Sequence, residues 1–457
     1  MLDLKVVNGT LFIPGVGLVK SGVGIRDGKI VMIALDDLLP KATETIDAGG
    51  KYVIPGCIDP HIHLGIFSTY EGECETETRY ALSGGVTTIG VYIGGGESYL
   101  PILPGAISTA EAKSSTDIIF HVSIFTPQQM SEMDKYYEQF GITDFKFYMT
   151  GVKGIFPNVP DEFIRQGFEK VAAMGVPAIG CVHCEDQAQV DAGWAEVSAL
   201  ANPTLQDWTK SSPSGAEADA ARRFVNIAKA TGARAYMVHM SSREAAELLY
   251  EMFKDGRENI YVETTSAYCG MTNEDPMGKL AKMRPPIRGN DAQEALWEAV
   301  RNGVVSTFGT DNVSCAKALK GADGDSLLQA MPGYPVVGTH IPALLTEGYH
   351  KRGIPWTTII EKATKAPAEA FGLYPRKGTI AVGSDADLVI LDLDKEKVVD
   401  PAQEYSFSDF SLFQGRKLKG WPTTVIKGGK VAVVEGKVVS QPGIGKYLRR
   451  KLIKKQE

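Results

Sequence analysis

The chain has 457 residues, 44% hydrophobic and 23% charged, an ordinary balance for a globular enzyme and enough chain for one large barrel plus a smaller module. Its formal net charge of −7 argues against nucleic acid or an anionic membrane as the main partner. Six cysteines scattered over this length fit buried reduced thiols rather than a disulfide framework, and Cys181-Val182-His183-Cys184 has no second pair at zinc-ribbon spacing.

Met1-Leu2-Asp3-Leu4-Lys5 has neither the charged nor the apolar region of a signal peptide, and no run approaches the ~18 apolar residues of a membrane span. A cytoplasmic protein is expected. Short β-type runs follow at 4–7, 11–12, 23–25 and 30–34, with Asp27-Gly28 as a turn signal. The same style returns at 386–392, 424–427, 431–434 and 438–439, around Gly428-Gly429 and Glu435-Gly436. These read as hairpins of one antiparallel module, a small β-sandwich formed by residues 1–52 and 373–440. The basic tail, 441–457, includes Lys446-Tyr447-Leu448-Arg449-Arg450-Lys451 and suits docking on a neighbouring subunit or a solvated surface.

The middle, 53–372, alternates strand-like and helix-like stretches. Candidate strands lie at 52–58, 87–93, 117–122, 144–149, 177–182, 234–238, 259–263 and 305–309. Between them, Ile164, Phe168, Val171 and Ala172 share one face of a predicted helix, with Asp161 as N-cap and Gly175 as its stop. Further helices are predicted over 216–231, stopping at Gly232, and over 291–302, stopping at Gly303. Eight such units make an α/β chain with a (β/α)8 TIM barrel. A doubly wound open sheet is the alternative, but no Gly-x-Gly-x-x-Gly follows a first strand to support it.

Asp59-Pro60-His61-Ile62-His63 ends the first apolar run, and side chains two apart on a strand share a face, so His61 and His63 form a ready pair of imidazole ligands. In a barrel the active site lies at the C-terminal ends of the strands. Lys146 lies inside strand four, His183 follows strand five, His239 strand six and Asp311 strand eight. A single strand-end histidine is commonly a structural hydrogen-bonding group, and an Asp after a strand is often a helix cap. Six such residues converging on one mouth predict a metal site.

The chain resembles the amidohydrolase superfamily, in its hydantoinase/dihydropyrimidinase branch. The resemblance runs through Pro55-Gly56-Cys57-Ile58-Asp59-Pro60-His61-Ile62-His63, Asp144-Phe145-Lys146-Phe147-Tyr148, Val182-His183-Cys184-Glu185, Val238-His239-Met240-Ser241, Arg284-Pro285-Pro286-Ile287-Arg288 and Gly309-Thr310-Asp311. It continues through Lys377-Gly378-Thr379 to Asp385-Ala386-Asp387 and Leu418-Lys419-Gly420-Trp421-Pro422. It implies that Lys146 is carboxylated by carbon dioxide and bridges two divalent ions. One ion would be held by His61, His63, Lys146 and Asp311, the other by Lys146, His183 and His239. Such ligands suit zinc, with manganese, cobalt or iron as alternatives. The implied chemistry is attack of a metal-activated hydroxide on a ring amide, with Asp311 moving the proton to the leaving nitrogen.

Three departures bear on substrate. Dihydroorotases usually carry an Arg two residues after the second His, where this chain has Gly65. Hydantoinases and dihydropyrimidinases place an oxyanion-stabilising Tyr five residues after the lysine, here Gly151. They favour Ser before the Pro-Pro pair and His after the catalytic Asp, where Arg284 and Asn312 stand. Tyr148 is a candidate replacement for the missing hydroxyl or a core aromatic; Arg284 is a candidate for an anionic or carbonyl-rich substrate, or a surface ion pair. The expected function is opening of a cyclic amide, imide or ureide by a homotetramer or homodimer. An allantoinase or related ring hydrolase is the alternative, and a non-catalytic scaffold is the alternative of another class.

Overall fold

The structure is a computed structural model describing residues 1–151, 156–257, 259–322 and 324–453. Its centre is a parallel sheet made in turn by Cys57–His63, Val86–Ile93, Asp117–Ser123, Asp144–Tyr148, Ile179–His183, Ala235–Met237, Ile260–Thr265 and a last strand in two pieces, Thr307–Gly309 and Asn312–Val313. Thr307–Gly309 pairs with the seventh strand and Asn312–Val313 with the first. The two residues between them, Thr310 and Asp311, are therefore where the sheet closes on itself. The result is a TIM-barrel-like fold with every barrel pairing parallel.

Helices pack outside. Asp161–Met174 buries Ile164, Phe168 and Val171 as the periodicity predicts, and Gly175 ends it at φ 89°. Its N-cap is Pro160 rather than Asp161, which becomes the first helical residue and places its charge against the positive end of the helix. Ser214–Thr231 and Asn290–Arg301 occupy the other two predicted positions.

The predicted first strand, 52–58, is divided. Tyr52–Pro55 joins the terminal sheets and Cys57–His63 the barrel, with Gly56 between them pressed against the Thr87 side chain where a Cβ would not fit. An apolar run can feed two sheets, and the hydropathy of 52–58 does not mark the glycine hinge. The terminal segments form a four-stranded and a seven-stranded sheet. Leu4, Val23, Ile25, Val53, Leu388 and Ile426 belong to one apolar cluster between them. The predicted purely antiparallel pairing is corrected: Leu2–Val7 runs parallel to Ala42–Asp47, and Thr10–Ile13 parallel to Tyr52–Pro55, because the connections cross over instead of turning back. The hairpins themselves form where expected, with Asp27 and Gly28 at φ 52° and 72°.

The described part of the basic tail packs against its own barrel. Ile118 donates its amide to Lys446 O and receives that of Leu448, each at 2.9 Å. The buried Arg450 guanidinium pairs with Asp144 Oδ2 at 2.5 Å and donates to Phe120 O at 2.9 Å. The reason is buried acid at the barrel floor: Asp117 and Asp144 open strands three and four, and the tail supplies partners, including the Lys446 amide on Asp117 at 2.9 Å. Residues 454–457 of the predicted tail lie outside the described residues. Asp117 also meets Lys377 and Lys427, and Lys377 reaches Asp385 at 2.8 Å and Asp387 at 2.5 Å. The Lys377 to Asp387 segment thus ties the terminal sheets to the barrel floor. No helix among the described residues is long and apolar enough to cross a membrane.

Candidate metal centre and substrate cavity

All six predicted metal-site residues line one cavity, together with Tyr148 and Arg284. His61 and His63 project from the same face of the first strand, their rings 5.3 Å apart, and the Nε2 of each lies 3.2 Å from Asp311 Oδ1. His183 and His239 face each other at 4.5 Å, and His239 stacks on His61 at 5.4 Å. Lys146 is buried in their midst; its ammonium lies 5.1 Å from the Tyr92 and Tyr148 rings, and no carboxylate of the described residues pairs with it. Burial pushes the lysine down to about 8, so an appreciable fraction is the neutral amine near physiological pH.

The candidate ligands are held from behind by carboxylates. Glu263 Oε1 lies 2.8 Å from His61 Nδ1 and accepts the His239 amide at 2.9 Å, while Tyr236 donates to Oε2 at 2.8 Å. Glu185 Oε2 lies 2.6 Å from His183 Nε2, which leaves Nδ1 of that ring to ligate. Asp59 accepts from the His61 amide at 3.1 Å and from the Thr310 hydroxyl at 2.5 Å. Burial lowers the proton affinity of His61 and His239, favouring the neutral form that binds metal. His239 and Asp311 both take left-handed backbone, φ 41° and 52°, a strain of order 1–3 kcal/mol each.

This donor set fits divalent metal ions. Ligand atoms of His61, His63 and Asp311 lie within 4.8 Å of one another. His239 Nδ1 is buried without a hydrogen-bond partner among the described residues.

The three candidate substrate residues separate. Tyr148 borders the cavity, its ring in a three-ring cluster with Phe125 and Phe156, 5.3 Å from each. Arg284 borders it too, against Trp194 and Trp208. Asn312 lies behind the site: its Oδ1 accepts the amides of Val336 and Val337, and its Nδ2 donates to Ser314. Sequence reading does not single out Glu263; the available signal is an acid within the apolar run that forms strand seven.

The departures have backbone causes. A Cβ on Gly151 would lie 2.7 Å from Phe156 O and 2.9 Å from Asn158 N, so a tyrosine cannot occupy that position without moving main chain. Gly65 has φ 79° and would place a Cβ 3.1 to 3.2 Å from Tyr70, so a dihydroorotase-type arginine there would be strained and would need Tyr70 to shift.

Comparison with known proteins places the chain among enzymes of this architecture. The D-hydantoinase of Ralstonia pickettii is 32% identical over 99% of this chain and 100% of its own. An allantoinase of Desulfitobacterium hafniense is 30% identical over 98% of each chain. The solved L-hydantoinase (dihydropyrimidinase) of Arthrobacter aurescens superposes with a TM-score of 0.91 at 29% identity, covering 98% of this chain and 99% of that one. The amidohydrolase family profile matches residues 52–432, and this chain belongs to the amidohydrolase family.

Proposed function

We propose that this protein is a metal-dependent hydrolase that opens the ring C–N bond of a cyclic amide, imide or ureide, in the manner of hydantoinases. The observation that carries the reading is the buried Lys146, unpaired by any carboxylate among the described residues, set among four histidines and Asp311 in one cavity. Its neutral amine attacks carbon dioxide, forming an N–C bond and releasing one proton, which turns a misplaced cation into an anion with two ligand oxygens. His61, His63, the modified Lys146 and Asp311 would then hold one ion, and the modified Lys146, His183 and His239 the second. Zinc suits these donors, with manganese, cobalt or iron as alternatives. Bound there, the ions would acidify water and polarise the substrate carbonyl.

The chain's own groups do the rest. Asp311 Oδ1 accepts the water proton and delivers it to the leaving ring nitrogen. Glu263 and Glu185 fix the ring orientations of His61 and His183. Tyr148 offers a hydroxyl at the wall where Gly151 offers none.

The same proposal takes residues 1–52 and 373–440 as a sandwich module on a 53–372 barrel, with 441–457 as a basic C-terminal tail. Six buried free thiols support a reducing, cytoplasmic setting. Assembly into a homodimer or homotetramer belongs to the same proposal. The test is a panel of hydantoins, dihydropyrimidines and allantoin assayed with metal-loaded protein, alongside elemental analysis. About two ions per chain and ring opening are expected. One ion in fully active enzyme would remove the bridging arrangement, and selective opening of allantoin would favour the allantoinase reading suggested by the Desulfitobacterium relative.

A further inference from the structure

Arg284 borders two cavities. One is the metal-site cavity, and the other is a larger outer space whose walls include Trp194, Trp208, Lys282 and Asp191. Its guanidinium lies 4.8 Å from the centre of Trp194 and 5.0 Å from that of Trp208. The Lys282 ammonium lies 4.4 Å from the same Trp208 ring, so two cations share one indole.

The two differ in what they have left to give. Lys282 donates to the carbonyls of Leu327, Leu328 and Ala330 at 2.9, 3.0 and 2.7 Å, which uses its three protons. Arg284 makes no hydrogen bond or ion pair among the described residues and keeps a planar fork of donors. The nearby acids are committed elsewhere: Glu185 to His183 and Ser212, Asp191 to Gln187. Burial opposes the charge on both cations, and Arg284 adds to the suppression at Lys282, which is pushed down to about 7. An anion in the outer cavity would answer both, through hydrogen bonds to Arg284 and through the field of Lys282. Carboxylate geometry matches the guanidinium fork, and the two indoles offer an apolar wall for a short tether.

We propose that Arg284 is a specificity residue for cyclic amides carrying a tethered carboxylate, which it binds where the metal-site cavity opens into the outer one. This rests on the ring-hydrolase reading above.

The experiment compares 5-(2-carboxyethyl)hydantoin with its neutral carboxamide, matched in size, on metal-loaded wild type, R284Q and R284K. A charge-assisted pair predicts a wild-type acid-to-amide ratio in kcat/KM of about 10 to 100, falling to about one in R284Q and partly kept in R284K. A second readout needs neither metal nor turnover: calorimetric titration of metal-free protein with the acid, in which R284Q should weaken Kd at least about tenfold. Thermal melting verifies that each variant is folded. A wild-type ratio near one, or a ratio unchanged in R284Q, overturns the assignment, and hydrolysis of both compounds then leaves the ring-hydrolase reading standing. If no cyclic amide is opened, that reading fails and calorimetry decides alone: binding lost in R284Q keeps the anion site, whereas equal or absent binding removes it.

Discussion

The Glu263 carboxylate lies 2.8 Å from Nδ1 of His61, so the nitrogen of that ring facing Asp311 is Nε2. Glu263 also receives the backbone amide of His239, so one buried acid orients ligands from strands one and six. Glu263→Gln should weaken metal affinity by about 10- to 100-fold, as loss of such supporting carboxylates commonly does. Chelator competition measures it, and unchanged affinity would leave Glu263 a purely structural acid.

Lys146→Ala should be nearly inactive and partly rescued by acetate or propionate with added metal, since a small carboxylate can stand where the carbamate would. Full activity without additive would show that the lysine only fills space.

Asp311→Asn keeps an oxygen but cannot carry a proton. Turnover should fall by ~10²–10⁴ with metal content less affected. Near-normal turnover would assign proton transfer to another group.

Tyr148→Phe tests the hydroxyl of this cavity-bordering residue. A loss of at least about tenfold in turnover with metals retained would mark it as a replacement oxyanion donor. Gly151→Tyr should not restore the usual arrangement, because its Cβ meets the backbone at 156–158. It should lower the melting temperature instead.

Lys377→Met removes the cation facing Asp117, Asp385 and Asp387 and should destabilise the fold by ~3–5 kcal/mol, measured by denaturant titration. The acid limb should move as well. Burial favours protonated Asp385, but Lys377 overrides it and holds the carboxyl well below its usual range. A depressed carboxyl contributes stability that is present above the unfolded value of about 3.9 and is lost as pH falls through the folded value. Without Lys377 that contribution shrinks, so acid unfolding should begin at higher pH than in the wild type.

The barrel and the six-residue cluster are legible in the sequence because short continuous apolar runs and strand-end histidines are local patterns. What local patterns do not carry is long-range pairing. The hinge at Gly56 depends on Thr87, the parallel pairing of Leu2–Val7 with Ala42–Asp47 depends on crossovers, and the destination of the tail depends on Asp117 and Asp144, some three hundred residues earlier. Asn312 illustrates the opposite error. Its position after Asp311 suggests substrate contact, yet its amide is consumed by the backbone at 336–337.

The Arg450 strap under strand four has a consequence for biosynthesis. Asp144 lies two residues from Lys146, but its cationic partner lies about three hundred residues later and emerges from the ribosome long after the barrel strands. Until residues 446–450 have been made, the acids at strands three and four lack their tail partners, so the floor beneath Lys146 is sealed late. A fusion partner joined near residue 450 would therefore act on the maturation of a cavity on the opposite side of the barrel.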